Sequence, residues 1–319
     1  MKLTQDQLLR KKFPLNEAMA DLKRLTDNPA ELGDFMQDEK PPMFILTFNH
    51  KRDNIPVADT FAEICKIIFV CSTDDPYLEE FKKELRDDED ILIFDKVDYI
   101  GDITRNGDDF GLTPPYNKVG SIARRFIDDY IRKKNIKRYI VSDNDVKVFI
   151  RKYDGKREEL TDDLLKNAVR TYFYILNKYT DHFSWLNTTH IGNEFGGHIY
   201  KQGYDVASFM LYFFDKPINW RSRFHDDYLT LYLTLKETGR MAFSLPYIRV
   251  EFANPSEQGD MKEAYLQLRA DSGDDYRLNR YARYFFPEFI DDVEKRGKLT
   301  KGCILKKYVT PLPDYKAKD

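Results

Sequence analysis

From Met43 onward, short and almost wholly apolar runs alternate with longer stretches in which apolar positions recur every three or four residues. MFILTFNH (43–50), IIFVCST (67–73), ILIFD (91–95) and RYIVS (138–142) read as strands. Between them, DNIPVADTFAEICK (53–66) contains a short helix, and PYLEEFKKELRDD (76–88) and SIARRFIDDYIRKKN (121–135) are amphipathic helices. Near-continuous apolar strands separated by helices predict an α/β fold, a mainly parallel Rossmann-like sheet with helices on both faces.

After about residue 160 the period changes. DDLLKNAVRTYFYILNKY (162–179) is a helix, followed by strand-like, glycine-punctuated pieces (THIGNEFGGHIYKQG, 189–203; ASFMLYFF, 207–214). FHDDYLTLYLTLKETG (224–239) starts another helix, and β-prone text continues to about residue 252. Three parts follow: residues 1–42 as an N-terminal helical appendage closed by Pro41-Pro42, an α/β half over 43–160, and a mixed α+β half over 161–319 with a basic tail.

Composition narrows the class. The 319 residues are 42% hydrophobic and 33% charged, which is globular and neither disordered nor membrane-embedded. A net charge of -3 argues against a uniformly basic coat for nucleic acid, although a partner reads local potential rather than the total. Cys65, Cys71 and Cys303 have no metal-site spacing and suit a reducing compartment. With no signal-like apolar core in MKLTQDQLLRKKF and no apolar run of spanning length, the expectation is a cytoplasmic protein without membrane contact.

Ligands of open α/β sheets bind beyond the carboxyl ends of the strands. Those ends are polar here: Asn49-His50-Lys51-Arg52, Ser72-Thr73-Asp74-Asp75, Asp95-Lys96 and Asp143-Asn144-Asp145. Two carboxylates one residue apart at a strand terminus can hold a hard divalent cation, Mg²⁺ or Mn²⁺, together with phosphate oxygens. The plainer alternative is an Asp-Asn turn capping the strand. In YNKVGSIARRF (116–126), Gly120 and Ser121 open a helix whose free N–H groups suit an anion, with Lys118, Arg124 and Arg125 adding charge; an ordinary helix cap competes. Asn49 and Arg52 are placed to reach a nucleobase or ribose, or simply to be solvated. His225-Asp226-Asp227 opens the later helix, where one Asp serves as N-cap and its neighbour is left as a general base. His190, Glu194 and His198 fit no metal motif and at most wall an acceptor or donor-sugar pocket, and Lys298, Lys301, Lys306 and Lys307 make a basic tail that either touches phosphates or, more simply, is solvated. Trp185 and Trp220 are either sugar- or base-stacking faces or core.

Taken together, ILTFNHKRDN, IIFVCSTDD, NKVGSIARRFIDDYI, YIVSDNDV and FHDDYLTLYLTLKETG resemble a GT-A glycosyltransferase over about residues 43–240. More narrowly, the chain resembles the TET/JBP-associated group of phage enzymes and the base-J glucosyltransferase of kinetoplastids. The resemblance implies a nucleotide-diphosphate sugar donor, UDP-sugar foremost, and Mn²⁺ or Mg²⁺ at Asp143 and Asp145. It also implies a donor cradle from Asn49, Arg52, Asp74 and Arg124, joined by Lys118 and Asn144, and a catalytic base at Asp227 or Asp226. Its acceptor would be a hydroxymethylated pyrimidine in DNA; a polysaccharide, protein or small-molecule acceptor, or a silent binding module, is the alternative. Inversion and retention both stay open. One departure stands out: many GT-A enzymes supply a late metal-ligand histidine, and no histidine follows His225 here.

Overall fold

A computed structural model describes residues 13–99, 120–150, 158–190 and 208–252, apart from 215–217, 219, 221–229, 231–233 and 235–236. Eight strands form one sheet: β1 (Pro42–Leu46), β2 (Lys66–Ser72), β3 (Asp90–Phe94), β4 (Arg138–Asp143), β5 (Val146–Ile150), β6 (Phe183–His190), β7 (Phe209–Phe213) and β8 (Met241–Phe252). The described helices are α1 (Leu15–Asp27), α2 (Pro56–Phe61), α3 (Leu78–Glu84), α4 (Gly120–Lys134) and α5 (Asp162–Lys178).

The strand order is β3-β2-β1-β4-β7-β6-β8-β5. The first four strands are mutually parallel, as their apolar sequences require, and every β2 residue after Lys66 is buried. From β4 onward the sheet is mixed: β7 runs antiparallel to β4 and β6, while β6 and β8 are parallel. The expected parallel α/β sheet therefore covers the first half of the order and gives way to antiparallel pairing in the second.

Connections β1→β2→β3 step one way and β3→β4 steps back past both. Right-handed crossovers then place α2 and α3 on one face and α4 on the other. The reversal makes the gap between β1 and β4 a topological switch point, where open α/β sheets bind their ligands. The last β1–β4 pair is Leu46 with Asp143.

Only Asn144 and Asp145 link β4 to β5, although β5 lies four places away in the order. A flat sheet would separate them by about 19 Å, whereas so short a link spans only about 10 Å. The sheet is therefore curled, and the Asp-Asn-Asp turn is the pivot between its two halves.

Helix ends follow local chemistry. Thr161 caps α5 by accepting the Leu164 N–H (3.3 Å), and Asp162 and Asp163 sit at the positive end of its dipole. At the far end of α4, Asn135 takes φ +53° and Ile136 N–H returns to Ile131 O at 3.0 Å, a Schellman turn.

One expectation changes. The N-terminal segment is not an appendage over its described part: Phe13, Leu15, Ala18, Leu22 and Met36 are buried in the same core cluster as the strands. Lys178 and Tyr179 at the end of α5 hydrogen-bond Asp21 of α1 at 2.6 and 2.7 Å, and Arg170 donates to Phe35 O at 2.8 Å. One sheet and one core cluster run through the described residues of both the 43–160 and the 161–319 halves. Among the described residues no helix is long and apolar enough to cross a membrane.

Asp128 lies on the buried face of α4, 4% exposed, and its Oδ2 makes no hydrogen bond among the described residues. Burial holds its carboxyl well above the usual carboxylate range, only partly opposed by Arg132 and Arg125. Unfolded, the group ionises near its ordinary value of about 3.9; folded, it keeps its proton to higher pH. The native chain thus binds more protons in that window, and stability falls as pH rises through it. Asp128→Asn is expected to be more stable than the parent by about 1–3 kcal/mol at pH 8, with the gap closing toward pH 4. Urea midpoints at the two pH values check this; a gap independent of pH would refute the assignment.

Candidate functional site

The carboxyl ends of β1, β2, β3 and β4 bring the polar rim segments to one edge. β1 stops at Leu46, and Asn49 just beyond it adopts φ +60°, a left-handed conformation that asparagine tolerates better than most residues. That turn is fastened by Asp75, which is 7% exposed and accepts the N–H of Asn49 (3.1 Å) and of Tyr77 (2.9 Å). Burial raises the Asp75 carboxyl despite these bonds. Asp75 is thus a brace for the rim.

Its neighbour Asp74 is different. The side chain is 52% exposed and pairs with the Lys96 ammonium at 2.9 Å. Burial alone would raise its carboxyl, but the nearby Ser72 hydroxyl and the bonded Lys96 ammonium outweigh this and hold it below the ordinary range. Lys96 is itself only 8% exposed and sits 3.9 Å from the centre of the Phe48 ring. A cation wedged between a carboxylate and a ring face has one place to be. Asp74 is therefore an ionised acceptor of fixed direction, half open to solvent.

Arg52 departs from expectation. Its side chain is 1% exposed, and its Nε lies 2.9 Å from both carboxylate oxygens of Glu89, itself 1% exposed. Another nitrogen bonds Glu89 again and Asp59 at 2.8 Å. The guanidinium points into the fold over the Phe69 ring and cannot face a base or ribose. Two acids, 7 and 37 residues away, drew it inward.

At the switch point, Asp143 closes β4 with its N–H on Ser208 O at 2.8 Å. Its side chain is 33% exposed, and Oδ1 accepts from Arg124 of α4 at 3.2 Å. Arg124 is 8% exposed and lies 5.0 Å from the ring of Trp220, which is buried. Gly120 at the start of α4 lies close to that guanidinium: a Cβ there would meet Arg124 Nη1 at 2.9 Å and make it shift, and would touch Leu46 Cδ1 at 3.8 Å. Asn144 and Asp145 follow as the half-buried turn. Asp143 and Arg124 thus share the crevice between β1 and β4, Asp145 stands in the turn just beyond, and Asn49 and Asp74 border the rim on the β2 side.

Lys118, His225, Asp226 and Asp227 lie outside the described residues, as do Glu194, His198 and the basic tail. His190 ends β6. Trp185 is core, its indole N–H donating to Asn187 at 2.8 Å. Cys65 and Cys71 are buried with thiols pushed up by burial, so neither is a nucleophile. Phe48 was missed, because an aromatic continuing an apolar run reads as core.

Among the described residues no group of three or more His, Cys, Asp or Glu is placed to hold a metal ion. Two carboxylates one residue apart nevertheless suit a hard cation whose remaining ligands are phosphate and water oxygens. Of the two acids expected to hold such a cation, Asp143 accepts from Arg124 and Asp145 follows in the turn between β4 and β5. Set against known proteins, the chain matches no family model and no curated protein.

Proposed function

We propose that the protein is a metal-dependent glycosyltransferase with a GT-A-like fold, taking its sugar from a nucleoside diphosphate donor. The observation that carries this reading is the acid at the switch point: Asp143 ends β4 beside Leu46 of β1, partly open, with Arg124 from α4 against it. A strand-end acid pair beside a buried arginine and a helix start offers both signs of charge that a diphosphate and its counter-cation require.

The roles divide by position. Asp74, ionised and fixed by Lys96, is oriented to accept hydrogen bonds from a ribose diol, the use that open α/β sheets make of an acid past the second strand. Asn49 borders the same rim. Arg124 supplies charge-assisted donors to phosphate oxygens. A cation on Asp143 and Asp145 would supply Lewis-acid stabilisation of the departing diphosphate. By the sequence resemblance alone, Asp227 or Asp226 takes the acceptor proton and the acceptor is a 5-hydroxymethylpyrimidine in DNA. A polysaccharide, protein or small-molecule acceptor is the second reading, favoured to the extent that the net charge of -3 leaves no general attraction to DNA.

A thermal-shift panel of nucleotide sugars, each with and without Mn²⁺, tests the donor. One donor with Mn²⁺ is expected to stabilise the chain by about 2.7 kcal/mol at a hundred times its Kd and to be slowly hydrolysed without acceptor. A panel with no shift and no hydrolysis rejects the reading; a shift without hydrolysis or transfer favours a silent binding module. A steep fall of acceptor binding with salt marks DNA.

A further inference from the structure

Strand β3 ends the strand order, so one of its sides faces no other described strand. Phe94 O accepts the Thr73 N–H at 2.9 Å, which turns the Phe94 backbone toward β2. Backbone direction alternates along a strand, so Asp90 and Leu92 face β2 as well, while Ile91 and Ile93 turn their N–H and C=O groups outward. The Phe94 ring stacks on Phe126 of α4, which puts the Ile91 and Ile93 side chains on the opposite face. Three large apolar side chains stand exposed among the described residues, and two of them are here: Ile93 at 38% and Val97 at 74%. Edge strands are commonly blunted by a lysine or a proline, and Ile91-Leu92-Ile93-Phe94 has neither.

Acids frame this edge. Asp87, Asp88 and Asp90 precede the apolar run, Asp95 and Asp98 follow it, and all five are exposed. A strand laid against it must be apolar in the middle and basic at both ends, because like charges set opposite one another are destabilising. The chain carries such a stretch. KLTKGCILKKYV (298–309), outside the described residues, sets Cys303-Ile304-Leu305 between Lys298 and Lys301 on one side and Lys306 and Lys307 on the other. Since both partners are symmetric in this sense, either strand direction sets lysines against acids. Residues 100–119, nearer in sequence and also outside the described residues, have no run of three apolar residues and bring Asp102, Asp108 and Asp109. Reach does not limit the tail. The last described residue is Phe252, and about fifty residues of extended chain span about 160 Å.

We infer that residues 301–307 add to the free side of β3 as a further strand, bonded through the outward backbone groups of Ile91 and Ile93, with lysines set against the flanking acids. Main-chain hydrogen bonds supply the affinity in strand addition, and side chains the choice of partner. Here the choice is made by charge at both ends of the apolar run. Covering the edge also removes a template for pairing between copies.

Amide hydrogen exchange, read residue by residue by nuclear magnetic resonance on the full chain, tests this. In the parent, the Ile91 and Ile93 amides are expected to exchange as slowly as that of Leu92, whose N–H faces β2. Lys301→Glu/Lys306→Glu/Lys307→Glu should speed Ile91 and Ile93 about tenfold, the worth of roughly one net hydrogen bond, and move Leu92 much less. Ile304→Asp, which leaves the lysines in place, should do the same. Raising salt should speed the same two amides in the parent, because the paired charges are exposed; this reading serves if a variant fails to fold. Fast exchange of Ile91 and Ile93 in the parent, unchanged rates in a folded variant, or rates unmoved by salt overturns the tail as occupant. Slow exchange that is lost on dilution, with a dimer seen by light scattering, assigns the edge to a second copy and overturns it too.

Discussion

Glu89→Ala is expected to cost about 3–5 kcal/mol of folding stability, a large share of what a folded chain has. The Arg52 guanidinium makes its principal bonds to this carboxylate, and both side chains are 1% exposed. Removing the acid leaves a charge in the interior with only Asp59, itself 48% exposed, to offset it. Glu89 also accepts the Arg86 N–H at 3.0 Å, so the turn before β3 loses a bond as well. The double variant Arg52→Met/Glu89→Leu should recover most of the loss, because deleting both charges removes the desolvation cost along with the attraction. Guanidinium chloride midpoints for the parent, Arg52→Met, Glu89→Leu and the double give the coupling. A Glu89→Ala midpoint within error of the parent would mean that Arg52 finds solvent, contrary to its burial. The lock also bears on the rim: it ties the residues just past Asn49 to the start of β3, so a loosened lock should weaken donor binding through the Asn49 turn.

This pair also illustrates what a sequence can show. Strands β1 to β4 were readable because a strand buried on both faces must be apolar along its whole length, and the observed ends differ from the expected ones by a few residues at most. Helices α4 and α5 were readable from periodicity. Arg52 was not, since its partners are an acid within the next helix and one 37 residues on, and nothing local distinguishes a solvated arginine from one folded onto a distant glutamate. Strand β6 was largely missed for a related reason: FSWLNTTH carries Ser184, Asn187 and Thr188, which look like loop residues yet are all buried, Thr188 donating to Phe209 O and Asn187 accepting from the Trp185 indole. The spacing of Leu15, Ala18, Leu22 and Leu25 was a legible sign that α1 is part of the core, obscured by the basic residues around it. At the site, the rim segments and the acid pair could be named from sequence. The Lys96–Asp74 and Arg124–Asp143 pairings could not, because each joins segments that only the crossovers bring together.

The acid pair allows the sharpest activity prediction. Under the proposed function, Asp145→Asn should lower donor turnover by about 10²–10⁴-fold, the equivalent of losing several kcal/mol of charge stabilisation on the leaving diphosphate. Asp143→Asn should lower it as much and should also cost stability. Asp143 is a counter-charge of an arginine that is 8% exposed, so its amide puts a neutral group beside that buried charge. Asp143→Asn is therefore expected to melt clearly below the parent, with both variants far less active than the parent. Turnover and thermal melting measured on the same preparations decide the matter. Full activity in Asp145→Asn would remove the cation from the Asp-Asn-Asp turn, and a parent-like melting temperature for Asp143→Asn would show that Arg124 does not depend on Asp143 for its place in the crevice.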